Sequence, residues 1–324
     1  MLALTLAVDG AYYEQFTLPP MNFLYFNVVQ SLAVFYGRNR IDYYFTEGLP
    51  LLLTTALPFA AIGLWRSLRP GIDRPHFAGY AQRQTRYILA LTVITSVLTF
   101  SMIAHKEMRF IYPLLPVLHV LAAKPLADFF APFPMPKSYT RLFLLLLGLT
   151  FNVYIAAYVT LVHQRGVIDV VHYLRHEAET SSGGVRNTTV GFFMPCHSTP
   201  WRSHLVHPEI SAWALTCEPP IDILLEYRAE YEDEADLFYN HPGGWIDEHM
   251  QDRKTVFKSS GAKASAQEQD KRAWPEYLVF FEHLEPVMNA VLEDTKYREC
   301  WRGFNTHWHD DRRRRGDVVV QCLR

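Results

Sequence analysis

Cysteine is absent from the first 195 residues of this 324-residue chain. No glycine-rich phosphate loop and no internal repeat occurs in it. Those absences remove P-loop nucleotide enzymes and repeat solenoids from consideration. Acidic residues are scarce at the start. Residues 1–162 hold 12 Lys and Arg against 7 Asp and Glu, whereas the whole chain holds 31 against 33. A formal net charge of −2 therefore conceals two halves of opposite sign. A mean hydropathy of −0.03 likewise averages an apolar, basic half with a polar, acidic one. The division reads as a membrane part joined to a water-soluble domain. About 160 C-terminal residues suffice for one core of their own. Nucleic acid does not suit an acidic soluble part. A cleavable signal peptide is not evident. Met1–Val8 is apolar, but it lacks a basic flank and is too short to span, so it reads as the tail of a longer helix.

What is present is a series of charge-free runs. Gly48–Trp65 carries no charge over 18 residues, and Tyr87–Ala104 carries none either. Phe110–Ala123 is only 14 residues long, and its Pro113 and Pro116 suggest a broken helix extending to Phe130. Leu142–Val162 is the clearest span, with 21 uncharged residues. Between them, 66–86 holds five arginines against Asp73, and 124–141 holds Lys124, Lys137 and Arg141 against Asp128. The positive-inside rule places both loops in the cytosol. The turn at 105–109 and everything after Val162 then face the lumen. Residues 1–165 are expected to form a membrane domain of about four spans, incomplete at its N-terminus. Met21–Tyr36 is apolar but interrupted by Asn22, Asn27, Gln30 and Ser31, which suits a helix lying on the membrane surface.

The densest polar feature is His105-Lys106-Glu107-Met108-Arg109, set between two apolar runs. Four ionisable residues at a membrane boundary are costly unless they meet a partner. A lysine point charge and an arginine fork together suit a phosphate. The alternative is a short connection whose charges stay in water. Tyr43, Tyr44 and Glu47 belong to a second aromatic, polar stretch before the first span. Its tyrosines suit an interfacial belt, and equally a sugar or lipid site.

Residues 166–324 read as a small luminal α/β domain. Val167–Ala178 has an amphipathic helical pattern, and helices are expected over 230–239 and 283–297. Strands are expected over 189–194, 277–281 and 317–320, with a turn region at 221–227 and a flexible polar insertion at 251–272. Cys196, Cys217, Cys300 and Cys322 allow three disulfide pairings, or remain buried thiols. Their spacings match no zinc pattern. Asn187-Thr188-Thr189 is a glycosylation sequon on the side the charge rule makes luminal. Cys196-His197-Ser198-Thr199-Pro200 reads as a turn rather than a nucleophile and base. His307 and His309 would need further ligands to hold a metal, so no metal is assigned. Arg312–Arg315 reads as a solvated or headgroup-facing surface.

The residues resemble a family at this point. His105-Lys106-Glu107-x-Arg109-Phe110 at the mouth of a span is similar to the signature of multi-spanning mannosyltransferases that use dolichyl phosphate mannose. Tyr43-Tyr44-Phe45-Thr46-Glu47-Gly48-Leu49-Pro50 is similar to that family's motif before a span. Met194–Pro200, Asp233–Tyr239 and His307–Asp311 narrow the resemblance to the branch that builds the glycosylphosphatidylinositol (GPI) core. The resemblance implies a membrane α-helical fold of the glycosyltransferase C type with a C-terminal luminal α/β domain. It implies transfer of the third mannose, in α-1,2 linkage, in the endoplasmic reticulum membrane.

The resemblance further implies dolichyl phosphate mannose as donor substrate, a GPI glycolipid as acceptor and no assigned cofactor. His105, Lys106 and Arg109 would bind the donor phosphate, supported by Glu107, Tyr43, Tyr44 and Glu47, and Asn187 would carry a glycan. Family members are longer and carry an acidic motif in an earlier luminal loop. That motif is not found here, its role is not transferred to Asp9, and no catalytic residue is assigned. The missing N-terminal spans would be partners in cis or in trans. Other readings are a catalytically inactive fragment, a non-catalytic membrane protein with a luminal binding domain, and a sister mannosyltransferase of N-glycan assembly.

Overall fold

The computed structural model describes residues 2–30, 32–69, 79–132, 136–180, 184–228, 230–253 and 271–323. Most of the expected insertion at 251–272 lies outside the described residues, as do Asp73 and Arg74. Contacts divide the chain into two compact units, Met1–Ile155 with Pro220–Leu225, and Ala156–Pro219 with Glu226–Arg324.

The first unit is helical. It begins with α1 (Leu2–Tyr13) and α2 (Pro19–Leu24). A single surface helix over 21–36 does not form. α2 gives way to a wide turn over Tyr25–Val29 and a tight 3-10 turn over Leu32–Tyr36. Among the described residues four helical stretches are long and apolar enough to cross a membrane: Tyr44–Leu68, Tyr80–Met102, Met108–Phe129 and Tyr139–Glu179. The first contains α3 (Leu49–Leu53) and α4 (Leu57–Leu68), separated by a break at Thr54, whose φ is +47°. Pro50 and Pro58 sit in the first turns of α3 and α4. A missing N–H costs nothing there, so the prolines start helices instead of breaking them. α5 (Tyr80–Met102) takes in residues 80–86, which the charge pattern had assigned to a loop. The third stretch is broken near its prolines, as expected. A 3-10 segment over Met108–Leu114 holds Pro113, and α6 (Leu115–Phe129) carries Pro116 in its first turn. α7 (Tyr139–Leu161) follows.

The core of this unit is narrow. Tyr44, Val93, Val97, Ile111, Leu118 and Ala122 are buried in one cluster. α4 and α6 approach so closely that a Cβ on Gly63 would lie 2.1 Å from the Leu121 carbonyl oxygen. Small residues allow such contact where lipid offers no hydrophobic drive between helices. α7 buries no residue. Within the apolar run Asn152 makes a polar clasp, its Oδ1 accepting from Thr54 Oγ1 at 2.9 Å while its Nδ2 donates to Thr55 Oγ1 at 2.8 Å.

The second unit contains the end of α7, then α8 (Gly166–Glu179), β1 (Thr188–Phe192), α9 (Trp201–His204) and β2 (Ile210–Ala214). After these come α10 (Glu234–Asn240), α11 (Pro242–His249), β3 (Tyr277–Phe281), α12 (Glu285–Leu292), β4 (Tyr297–Gly303) and β5 (Val318–Leu323). The strands form one sheet in the order β2-β1-β3-β5-β4. β2, β1 and β3 are parallel, whereas β5 runs antiparallel to β3 and β4. Strand alternation supplies two cores. Tyr277, Val279 and Phe281 face α8 with Val190 and Phe192, whereas Leu278 and Phe280 face α10, α11 and α12 with Phe193 and Val319.

β3 was legible because a central strand covered on both faces is a continuous apolar run. β2 and β4 are edge strands and were missed. β4 reads Tyr-Arg-Glu-Cys-Trp-Arg-Gly and shows alternation too weak to separate it from a loop. The expected helix over 283–297 accordingly stops at Leu292. α10 starts at Glu234 rather than 230, where Asp233 caps the Asp236 N–H at 2.7 Å. The cysteines pair as Cys196–Cys217 and Cys300–Cys322.

Candidate functional site

The first polar cluster forms where α5 ends. Ile103 and Glu107 adopt extended backbone, so 103–107 leaves the helix as a strap before the Met108 turn. Residues 36–42 pack onto this strap through Asn39. The Asn39 N–H donates to Ala104 O at 3.0 Å, and its side-chain Oδ1 accepts from the Lys106 N–H at 2.9 Å. Lys106 is only 4% exposed. Its ammonium turns inward and donates to Ile103 O at 2.6 Å and Asn39 O at 3.4 Å. Burial, with the Arg38 charge nearby, pushes this ammonium below its ordinary value.

Glu107 organises the exposed side. Its Oε1 accepts from Arg109 Nη2 at 2.7 Å, and Arg109 Nε pairs with Oε2, so the guanidinium fork lies bidentate on the carboxylate. Oε1 also meets His105 Nε2 at 3.0 Å, and His105 Nδ1 meets Gly37 O at 3.0 Å. Both imidazole nitrogens are thus engaged, one by the carboxylate and one by a backbone carbonyl. Burial alone would raise the Glu107 carboxyl, but hydrogen bonds from His105 and Arg109 outweigh it and hold it below the usual carboxylate range. The Arg109 side chain remains 70% exposed.

Tyr44 is fully buried behind the strap, and its hydroxyl donates to Glu107 O at 3.2 Å. Gly48 is required at that contact, because a Cβ there would sit 3.0 Å from the Tyr44 ring and 3.3 Å from Ile111. Tyr43 packs edge-on against Tyr44, with ring centroids 5.4 Å apart. Glu47 is exposed, and its charge acts on Arg40. The strap thus gathers His105, Lys106, Glu107, Arg109 and Tyr44. Sequence reading missed Asn39, Gly37 and Arg38. The run Arg38-Asn39-Arg40 beside the tyrosines was the available signal, but nothing local shows that it folds back over residues 65 positions later.

A second junction lies in the sheet domain. The Met194–Pro200, Asp233–Tyr239 and His307–Asp311 stretches meet there. Arg313 Nη1 bonds Asp236 Oδ1 at 2.8 Å and its Nη2 bonds Asp311 Oδ2 at 3.0 Å, while its guanidinium lies 5.6 Å from the Tyr239 ring centroid. Arg314 Nη2 donates to Cys196 O at 2.9 Å. The Tyr239 hydroxyl reaches Phe193 O at 3.1 Å. Cys196-His197-Ser198 forms a turn, with Ser198 N–H on Pro195 O at 3.2 Å. Its two neighbouring thiols, Cys196 and Cys217, are consumed in a disulfide. His307 and His309 have separate partners. His307 Nδ1 meets Tyr158 Oη at 3.1 Å, and His309 Nδ1 accepts from the Asp311 N–H at 3.0 Å. Asn187 is exposed just before β1.

These two polar clusters sit on a chain whose described residues hold four membrane-compatible helical stretches. A family model described as the Alg9-like mannosyltransferase family matches residues 1–206. The chain belongs to that family. The GPI mannosyltransferase 3 of Emericella nidulans is 46% identical to it, over 100% of this chain and 52% of its own length. That of Aspergillus fumigatus is 44% identical over 100% of this chain and 45% of its own length. The GPI alpha-1,2-mannosyltransferase 3 of Mus musculus is 34% identical over 96% of this chain and 48% of its own length. The chain spans about half the length of these curated relatives. No solved structure matches it significantly.

Proposed function

We propose that this chain belongs to an enzyme of the endoplasmic reticulum membrane that transfers the third mannose of the GPI core, in α-1,2 linkage, from dolichyl phosphate mannose. The observation that carries the reading is the similarity of the whole chain to relatives named for that transfer. The α/β domain and the 103–109 strap face the lumen in this reading, supported by the arginine-rich ends of α4 and α5 opposite the strap and by two disulfides.

The reaction is a single inverting displacement. An acceptor hydroxyl oxygen bonds the anomeric carbon, the bond from that carbon to the phosphate oxygen breaks, and the hydroxyl proton leaves. Dolichyl phosphate departs with one more negative charge than it carried as a diester. Cations that meet that oxygen more strongly in the transition state lower the barrier. Arg109 is the group placed to do this, being exposed and held as a flat fork by Glu107. His105 helps hold that fork in place, its Nε2 meeting the shared Glu107 carboxylate at 3.0 Å. Lys106 supplies charge from behind, with its position set by Ile103 O and Asn39 O, and Tyr44 and Tyr43 brace the strap. No residue of this chain is assigned to accept the hydroxyl proton.

Mannose transfer from dolichyl phosphate mannose to the two-mannose GPI precursor, followed in microsomes bearing the whole protein, tests this. Arg109→Ala should lower transfer roughly 100- to 1,000-fold with unchanged membrane abundance. Full activity in Arg109→Ala and His105→Ala together would refute the phosphate role.

A further inference from the structure

The 304–309 segment is bound to the end of α7. The Tyr158 hydroxyl and His307 Nδ1 are 3.1 Å apart, and their rings stack at 6.0 Å. Thr306 Oγ1 meets His163 Nδ1 at 2.8 Å, and Asn305 O accepts the Arg165 N–H at 3.2 Å. Gly166 is required for this approach, because a Cβ there would lie 2.9 Å from Phe304 O. All of these residues belong to the same compact unit, which starts at Ala156.

Tyr158 lies one helical turn before the last residues of the apolar run Leu142–Val162. Segment 304–309 is therefore level with the end of the span. At that level the domain presents Trp308, 70% exposed, and Phe304, 43% exposed. Elsewhere in the domain Phe192, Phe193, Phe238, Phe280, Phe281 and Trp245 are buried, whereas Tyr227 is 57% exposed. Thr306 fixes the turn that projects Trp308, accepting its N–H at 3.3 Å and donating to its carbonyl at 2.8 Å. Exposed Arg312 and Arg315 follow shortly after. A tryptophan beside a span end, with exposed arginines following beyond Asp310 and Asp311, suits a membrane–water interface, where an indole places its ring among acyl carbons and its N–H among headgroups.

We infer that Trp308 and Phe304 insert into the lipid leaflet at the end of α7, docking the α/β domain on the membrane surface with Arg312 and Arg315 toward the headgroups. The occupant of this surface is phospholipid. The inference rests on α7 crossing the membrane and is independent of the transfer reaction.

Trp308 is one of seven tryptophans, so its emission is obtained as the difference between the chain and Trp308→Phe in phosphatidylcholine vesicles. Lipid brominated near the glycerol end of its acyl chain should quench that difference component at least about twofold. Aqueous iodide should leave it nearly unchanged. Quenching by iodide without quenching by brominated lipid overturns the inference, because the indole is then in water. Shielding from both also overturns it, because protein then covers the site. Trp308→Tyr supplies the same difference spectrum if the Phe variant does not accumulate.

Discussion

β3 and α7 are both largely apolar, and they end in opposite surroundings. All five residues of β3 are buried, whereas α7 buries none of its 23. In the sheet domain, water makes exposure of Phe280 or Phe281 costly, so large aromatics are drawn into two dense cores. Along α7, lipid is as apolar as leucine, so side chains such as Leu146 and Val153 lose nothing by pointing outward. What remains to hold the helices of the first unit is close contact at small residues and hydrogen bonds between helices. Gly63 against Leu121 and Asn152 against Thr54 and Thr55 are those two devices. Hydropathy alone therefore identifies elements in both units, but it identifies core residues only in the one surrounded by water.

Paired substitutions test that contrast most strongly. Phe280→Ala should cost the sheet domain about 3–5 kcal/mol, whereas Leu146→Ala in α7 should change thermal stability in lipid by less than about 0.5 kcal/mol. A calorimetric scan of both variants in nanodiscs checks this, and equal losses would end the comparison. Gly63→Ala should follow at roughly 2–3 kcal/mol by forcing α4 from α6. Its readout is a lowered melting temperature in nanodiscs, with the sheet domain's disulfides intact. Asn152→Leu is a smaller perturbation, about 1 kcal/mol, since interhelical hydrogen bonds in membranes are modest. Cysteine cross-linking between α7 and residues 54–55 would report a loosened clasp.

The smallest effect concerns acid. Burial lowers the His309 imidazole from its ordinary 6.5. Unfolded chains then bind that proton first as pH falls. Stability is complete above 6.5 and declines from there down to the lowered folded value. His309→Gln should flatten this part of the stability–pH curve in urea titrations. A slope identical to that of the unmutated chain would mean that His309 is not the responsible group.

Parts of the strap were legible and parts were not. His105, Lys106, Glu107 and Arg109 stand out because charge between apolar runs is rare. Their division of labour was not legible. Lys106 looked like a surface point charge and is instead turned onto backbone carbonyls, because Asn39 folds over the strap and removes its water. Glu107 looked auxiliary and is the hub that His105 and Arg109 share. β2 and β4 escaped for a related reason. An edge strand is specified by its neighbour's hydrogen bonds more than by its own pattern.

The sequence by itself determined the two solvents this chain is made for, through its charge-free runs, its lopsided charge and its cysteines confined to one half. Those are sums over composition and period, and they survive without knowledge of contacts. Tertiary structure alone decided which cysteines pair, which cation of the strap faces outward, and that three separate stretches of the second half meet around Arg313. Each of these depends on distances between residues far apart in the chain. Hydrogen bonds and close packing are sensitive to fractions of an ångström, and no local pattern encodes them.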